Sequence, residues 1–389
     1  MANVNTVRVL SLDGGGMRGY VSATFLKKFI DLWGINANEI YKYFDVITGS
    51  SIGGIQALSY SIGMSPTEVL EFFTQDGPYI FTTSSSTPSS RPSTLTKGLI
   101  LFGTYTRSTF YPSTTSGIGT MQLKSKLDST FGTQTMQDCK TATLITSFEK
   151  NDTDPDFAQD TNTPVYFSNS NVVPSLTGQN FNIVDVAMAT SAAPVYFPAW
   201  QIGNDKYIDG GVVQNNPASL GLAVGKALKP AANRFCVLSV GTGLGDVGFA
   251  DNSNAFNFKK RALKEAQDLK TDPDKFAKKW NIEDKKEMEL LLWLSNNLGL
   301  LEGASLIMYL LGAMTTGPQE IAAKELHIES EYTLDNLYNY RMQYYFDPTK
   351  DTELDNSTSS ILSYYSQTVD DYFNNNIDNI TAFLGHLTA

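Results

Sequence analysis

Strand-like and helix-like spacings of apolar residues alternate along the first part of this chain. Val7-Arg8-Val9-Leu10-Ser11-Leu12 alternates and then runs apolar, which predicts a strand; Met17 to Trp33 next sets Val21, Phe25, Leu26, Phe29, Ile30 and Trp33 at helical intervals. Asp45-Val46-Ile47-Thr48 predicts a second strand. The run Ile52 to Ile62, with small Gly53, Gly54 and Ala57, predicts a helix lying close against a sheet. Two successive strand-turn-helix units imply parallel strands joined by crossovers. Ser65-Pro66-Thr67-Glu68 opens a further helix, with Ser65 as cap, Pro66 in the first turn and Glu68 closing a capping box.

Leu144 to Phe148, Val165 to Phe167 and Phe235 to Val240 predict further strands, the last ending in the turn Gly241-Thr242-Gly243, and Val184 to Ala193 a small-residue helix. Two stretches rich in Ser, Thr and Pro, Thr82 to Pro92 and Pro112 to Gly119, predict exposed loops. Beyond Asn257, charges of mixed sign lead into an apolar helical block to Met314, and Ile361 to Leu387 returns to helical spacing. The expected organisation is an α/β domain over residues 1–250 and a helical C-terminal region over 251–389, packed on it or continuous with it.

An apolar content of 41% and a charged content of 18% describe a globular chain. The net charge of -11 argues against a nucleic-acid partner, which requires clustered Lys and Arg, and gives no bulk attraction to an anionic bilayer. Lipid contact then has to be local and apolar. Cys139 and Cys236 supply neither a disulfide framework nor metal-ligand spacing, so no metal and no other cofactor is expected. Met1 to Thr6 shows no basic or apolar secretory signal. Leu290 to Met314 is broken by Asn296, Asn297 and Glu302, leaving less than the roughly 20 apolar residues of a bilayer span.

Chemistry gathers at three glycine turns. Gly49-Ser50-Ser51-Ile52-Gly53 follows the second strand, and G-x-S-x-G forces its serine into a sharp strand-to-helix bend. Ser51 is therefore the candidate nucleophile, with Gly49 and Gly53 flanking the elbow. In Asp13-Gly14-Gly15-Gly16-Met17-Arg18-Gly19, three glycines at a strand end let backbone N-H groups approach a developing oxyanion, and Arg18 orders this loop or meets a lipid phosphate. A nucleotide-phosphate cradle competes with that reading, but G-x-x-x-x-G-K-[ST] is absent. The chain has 2 histidines, His327 and His386, both outside the α/β part. Asp209, in Asp209-Gly210-Gly211, is then the candidate base: a carboxylate accepts the serine proton directly if it is held within about 2.6–3.2 Å of the hydroxyl and partly desolvated. An aspartate base predicts activity that persists below the imidazole pKa of about 6.5.

These turns and Ala189-Thr190-Ser191-Ala192-Ala193-Pro194-Val195-Tyr196-Phe197-Pro198, in this order, resemble the patatin-like phospholipases from Val7 to Gly245. The resemblance implies a three-layer α/β fold, a central mainly parallel sheet flanked by helices, followed here by the helical C-terminal region. It implies a Ser51–Asp209 dyad and an oxyanion loop of Gly14, Gly15, Gly16 and Arg18. The implied activity is calcium-independent hydrolysis of acyl esters of phospholipids, lysophospholipids or galactolipids through an acyl-enzyme. Plant storage patatins are secreted; lacking a signal, this chain is expected to be cytoplasmic and peripheral to membranes, with delivery as a secreted effector also compatible. Tyr79-Ile80-Phe81, Leu99 to Phe102 and Leu290 to Met314 are candidates for an acyl groove or for plain core. Two rival functions stay open: a soluble carboxylesterase or acyl thioesterase on short chains, and a regulatory protein on a hydrolase scaffold. An enzyme held idle until an activating protein partner binds is a third arrangement.

Overall fold

The computed structural model describes residues 5–81, 118–149, 163–172, 180–194, 196–244, 271–280, 321–331, 336–347, 349–350, 352 and 354–389. In chain order the elements begin with β1 (Thr6–Leu12), α1 (Gly19–Trp33), β2 (Val46–Ser50), α2 (Ile52–Ile62), α3 (Pro66–Glu71), α4 (Gly77–Ile80) and α5 (Ile118–Phe131). There follow β3 (Ala142–Glu149), β4 (Thr163–Ser168), α6 (Ile183–Thr190), β5 (Trp200–Ile202), β6 (Asp205–Asp209), α7 (Gly211–Gln214), α8 (Ala218–Leu228) and β7 (Arg234–Val240). The last are α9 (Pro273–Trp280), β8 (Leu337–Met342), α10 (Ser359–Asn375) and α11 (Ile377–Thr388).

All of β1 is buried because both faces of the sheet are covered. Val7 and Val9 pack with Leu222 and Val224 of α8 and with Leu326, whereas Leu10 and Leu12 join the larger core that takes in α1, α2, α6, α10 and α11. The result is the expected three layers. Strand order is β5-β6-β3-β2-β1-β7-β8, with β4 pairing β3 off this path. The strands β3, β2, β1, β7 and β8 are parallel, and β4, β5 and β6 add an antiparallel edge, so the sheet is mixed around a parallel centre.

The capping box at α3 is present: Ser65 Oγ accepts from the Glu68 N-H at 3.3 Å, and Glu68 accepts from the Ser65 N-H at 2.7 Å. Two features differ from expectation. The region after residue 250 is not only helical, since β8 extends the sheet alongside β7. The helical run near the C-terminus is also two helices, divided at Asn376. Thr82 to Pro92, Leu99 to Phe102, Leu290 to Met314 and, up to residue 117, the second Ser/Thr/Pro stretch lie outside the described residues. Of the first acyl-groove candidate, Ile80 and Phe81 are core and Tyr79 is 52% exposed.

Register sets up the site. Leu12 lies level with Gly49 of β2 and Val240 of β7, so the turns after β1, β2 and β7 open from one edge of the sheet. At β1 the strand order reverses direction, and there the carboxyl ends of parallel strands leave a crevice.

Candidate active site

Ser51 alone makes the bend between β2 and α2. Its φ of 54° and ψ of -128° give it the one positive φ outside glycine among the described residues. Such a conformation costs on the order of 1–3 kcal/mol and persists because its surroundings over-determine it. Here the Ser51 N-H donates to Thr190 Oγ1 at 2.9 Å, and the Thr190 hydroxyl donates to the Thr146 carbonyl at 2.7 Å. The flanking glycines leave no alternative. A Cβ on Gly49 would lie 2.1 Å from the Gly53 carbonyl oxygen, and one on Gly53 would lie 2.2 Å from that of Leu12.

Asp209 ends β6, opposite Ser147 of β3, one residue beyond the Thr146 that pairs with Ser50. That register brings its carboxylate to the elbow. Ser51 Oγ donates to Asp209 Oδ2 at 2.5 Å, and the Gly211 N-H donates to Oδ1 at 2.6 Å. Asp209 is only 5% exposed. Burial pushes its carboxyl up to about 7, against the opposing pull of the hydrogen bonds from Ser51 and Gly211. This corrects the pH expectation: a carboxylate titrating near 7 loses its base form where an imidazole would, so survival of activity in acid no longer separates the two. The histidines are elsewhere. His327 is exposed, and His386 stacks at 3.8 Å on Tyr338 and meets Arg234, at the amino ends of β8 and β7. That edge is a strand length, about 20 Å, from the elbow.

The glycine loop adjoins Ser51, since a Cβ on Gly14 would fall 2.8 Å from Ser51 Cβ. Of the expected donors, the Gly14 N-H is taken by the Asn215 carbonyl at 3.3 Å. The Gly14 carbonyl accepts from Thr242 Oγ1 at 2.8 Å and Asn215 Nδ2 at 3.3 Å; the Gly15 carbonyl accepts from the Arg18 N-H at 3.1 Å and Arg18 Nε at 3.5 Å. In a planar trans peptide the N-H points opposite to the carbonyl. Pinning these two carbonyls therefore turns the amides of Gly15 and Gly16 the other way, and neither has a protein acceptor among the described residues. Arg18 is buried and orders the loop; burial lowers its pKa against the opposing influence of Tyr365, Tyr196 and Tyr344.

A hydroxyl bonded to a desolvated carboxylate beside two open amides suits addition to an acyl carbonyl. The model of the family described as "Patatin-like phospholipase" matches residues 10–222, more than half of the 389-residue chain. The chain belongs to that family. Among relatives of this patatin-like chain, a Vibrio cholerae protein named cGAMP-activated phospholipase is 32% identical over 56% of this chain and 57% of its own length. Calcium-independent phospholipase A2-gamma of Rattus norvegicus is 30% identical over 61% of this chain and 28% of its own. Patatin-2-Kuras 3 of Solanum tuberosum is 28% identical over 61% of this chain and 60% of its own. Each match spans less than two thirds of the relative.

Sequence reasoning missed several members of this patatin-like site. Thr190 lies inside the Ala189 to Pro198 motif and Asn215 just after the Asp-Gly-Gly turn, so the sequence marks their neighbourhoods but not their bonds. The Gly241-Thr242-Gly243 spacing signals a turn and nothing of Thr242's bond to the glycine loop. Buried Asp13 is paired with Arg341 of β8, Nη1 to Oδ1 at 2.8 Å and Nη2 to Oδ2 at 2.6 Å, and nothing near Arg341 announces this.

Proposed function

We propose that this chain is a lipid acyl hydrolase that cleaves ester bonds of phospholipids or related acyl lipids through a Ser51–Asp209 dyad. The hydrogen bond of 2.5 Å between Ser51 Oγ and Asp209 Oδ2, at a strained elbow beside open amides, carries the reading. Ionised Asp209 takes the hydroxyl proton as Ser51 Oγ adds to the ester carbonyl, and the negative oxygen is held by the Gly15 and Gly16 amides. Collapse of the tetrahedral adduct expels the alcohol, which receives the proton from Asp209. A water deprotonated by Asp209 then attacks the acyl-Ser51 ester, and collapse of that adduct releases the fatty acid while Ser51 Oγ takes the proton back from Asp209. In this reading residues 1–250 carry the nucleophile, the base and the oxyanion amides, and the enzyme meets its lipid at a membrane surface; no described helix is long and apolar enough to cross a bilayer.

The test is hydrolysis of phosphatidylcholine vesicles by Ser51→Ala and Asp209→Asn beside the parent. Expected is loss of at least about 10³-fold in kcat in both. Undiminished hydrolysis in either variant sinks the dyad. Turnover of dispersed short-chain esters with none on vesicles moves the chain to the soluble esterases, and no turnover of either moves it to the binding proteins. The similarity to the cGAMP-activated phospholipase of Vibrio cholerae makes cGAMP the activator to add first.

A further inference from the structure

The glycine loop is held at three points by residues beyond 222, where the family match ends. Before the loop, Asp13 is completely buried and receives both terminal nitrogens of Arg341, whose Nη1 also donates to Ser239 Oγ at 2.9 Å. In its middle, Thr242 Oγ1 donates to the Gly14 carbonyl at 2.8 Å, and a Cβ on Gly15 would sit 2.2 Å from that same oxygen. After it, the Met17 N-H donates to the Leu354 carbonyl at 2.7 Å.

Three glycines in a row have no preferred conformation of their own. An oxyanion hole, by contrast, works only if its donors are aimed before the charge develops. Thr242 fixes the plane of the Gly14–Gly15 peptide from its carbonyl side, and so fixes where the Gly15 N-H points. Arg341 has two effects. Its planar fork fixes the Asp13 carboxylate, and with it the start of the loop, in one orientation. Its positive charge also offsets a buried carboxylate that would otherwise oppose the oxyanion a few residues away.

We propose that Thr242 and Arg341 are positioning residues for acyl transfer, which makes the segment beyond the family match part of the oxyanion apparatus. The inference rests on the Ser51–Asp209 reading above. Its test uses Thr242→Val, Thr242→Ser and Arg341→Lys in the full chain, with Ser51→Ala as reference. Three quantities are read: kcat and KM on phosphatidylcholine vesicles, the rate at which a fluorophosphonate labels Ser51, and the melting temperature. Thr242→Val keeps the volume and removes the donor; Arg341→Lys keeps the charge and removes the fork. Expected for both is a fall of about 10- to 100-fold in kcat and in labelling rate, with KM within about twofold and melting nearly unchanged. Thr242→Ser restores the rate to within about threefold.

Parent-like kcat and labelling in both Thr242→Val and Arg341→Lys, with Ser51→Ala inactive, overturn the positioning roles and leave the dyad standing. Losses that follow the melting temperature, or that Thr242→Ser fails to restore, overturn them as well. Activity or labelling retained in Ser51→Ala overturns the dyad itself.

Discussion

At the scale of single residues, Asp209 carries opposite demands. Its carboxyl is pushed up to about 7 by burial, so the base form that the proposed mechanism needs is the form the folded protein disfavours. kcat/KM on vesicles should therefore rise with pH through about 7, following the free enzyme's base. A profile already flat from pH 5 upward would show that Asp209 is not titrating as the base. Stability runs the other way. Between the ordinary value of 3.8 and about 7 the folded chain keeps a proton that the unfolded chain has released. The favourable proton binding is complete below about 4 and lost as pH rises through 7. Asn carries no such dependence. Asp209→Asn and the parent should thus unfold with similar free energies at pH 4, and the variant should gain up to about 4 kcal/mol on the parent by pH 8. Denaturant titrations at the two pH values check this. The same scale shows where reading from residues stops. Ser51, Asp209 and the loop glycines were legible because bends and close approaches demand particular residue types. Arg341 was not, because its meaning comes from a partner 328 positions away.

Among elements, the strand-to-helix elbow was legible in spacing alone, and the contacts explain why. Gly53 faces backbone: an added Cβ would fall 2.2 Å from the Leu12 carbonyl oxygen and 2.5 Å from that of Asp13. Neither atom is the flexible tip of a side chain, so α2 or the glycine loop must move. Gly53→Ala should cost about 1–3 kcal/mol of stability and on the order of 10²-fold in kcat, because it displaces Ser51 relative to its donors. Gly385 in α11 is the contrast, with nothing within 4 Å of its Cβ position and no positive φ. Gly385→Ala should stabilise by roughly 0.5–1 kcal/mol and leave kcat unchanged. Thermal unfolding and vesicle assays of the two variants test the pair. The elements missed by pattern have a common cause. In β8, Leu337-Tyr338-Asn339-Tyr340-Arg341-Met342 is apolar at its ends and polar within, because its middle serves partners on neighbouring elements. β4 was legible as a strand at Val165 to Phe167, but its antiparallel direction was not, since period alone carries no strand direction.

For the whole molecule, the question is how firmly the last helices belong to the machinery at the start of the chain. Phe383 of α11 is 4% exposed, with ring centroids 6.5 Å from Phe29 of α1 and 5.7 Å from Tyr340 of β8. Nearby, Arg8 of β1 donates from Nε to the Leu387 carbonyl at 2.7 Å. First strand and last helix therefore share one core, and β8 lies in the same sheet as β1. Phe383→Ala should cost about 3–5 kcal/mol, the usual loss for an aromatic removed from a packed core. The more telling observation is its form. If the strands are one cooperative unit, the variant melts earlier in a single transition, and fluorophosphonate labelling of Ser51 is lost at the same temperature as circular dichroism signal. Were the C-terminal helices an independent body, part of the dichroism would melt first while labelling persisted. Coincident loss means that packing of α11, at the edge away from the dyad, governs the temperature range over which the site exists.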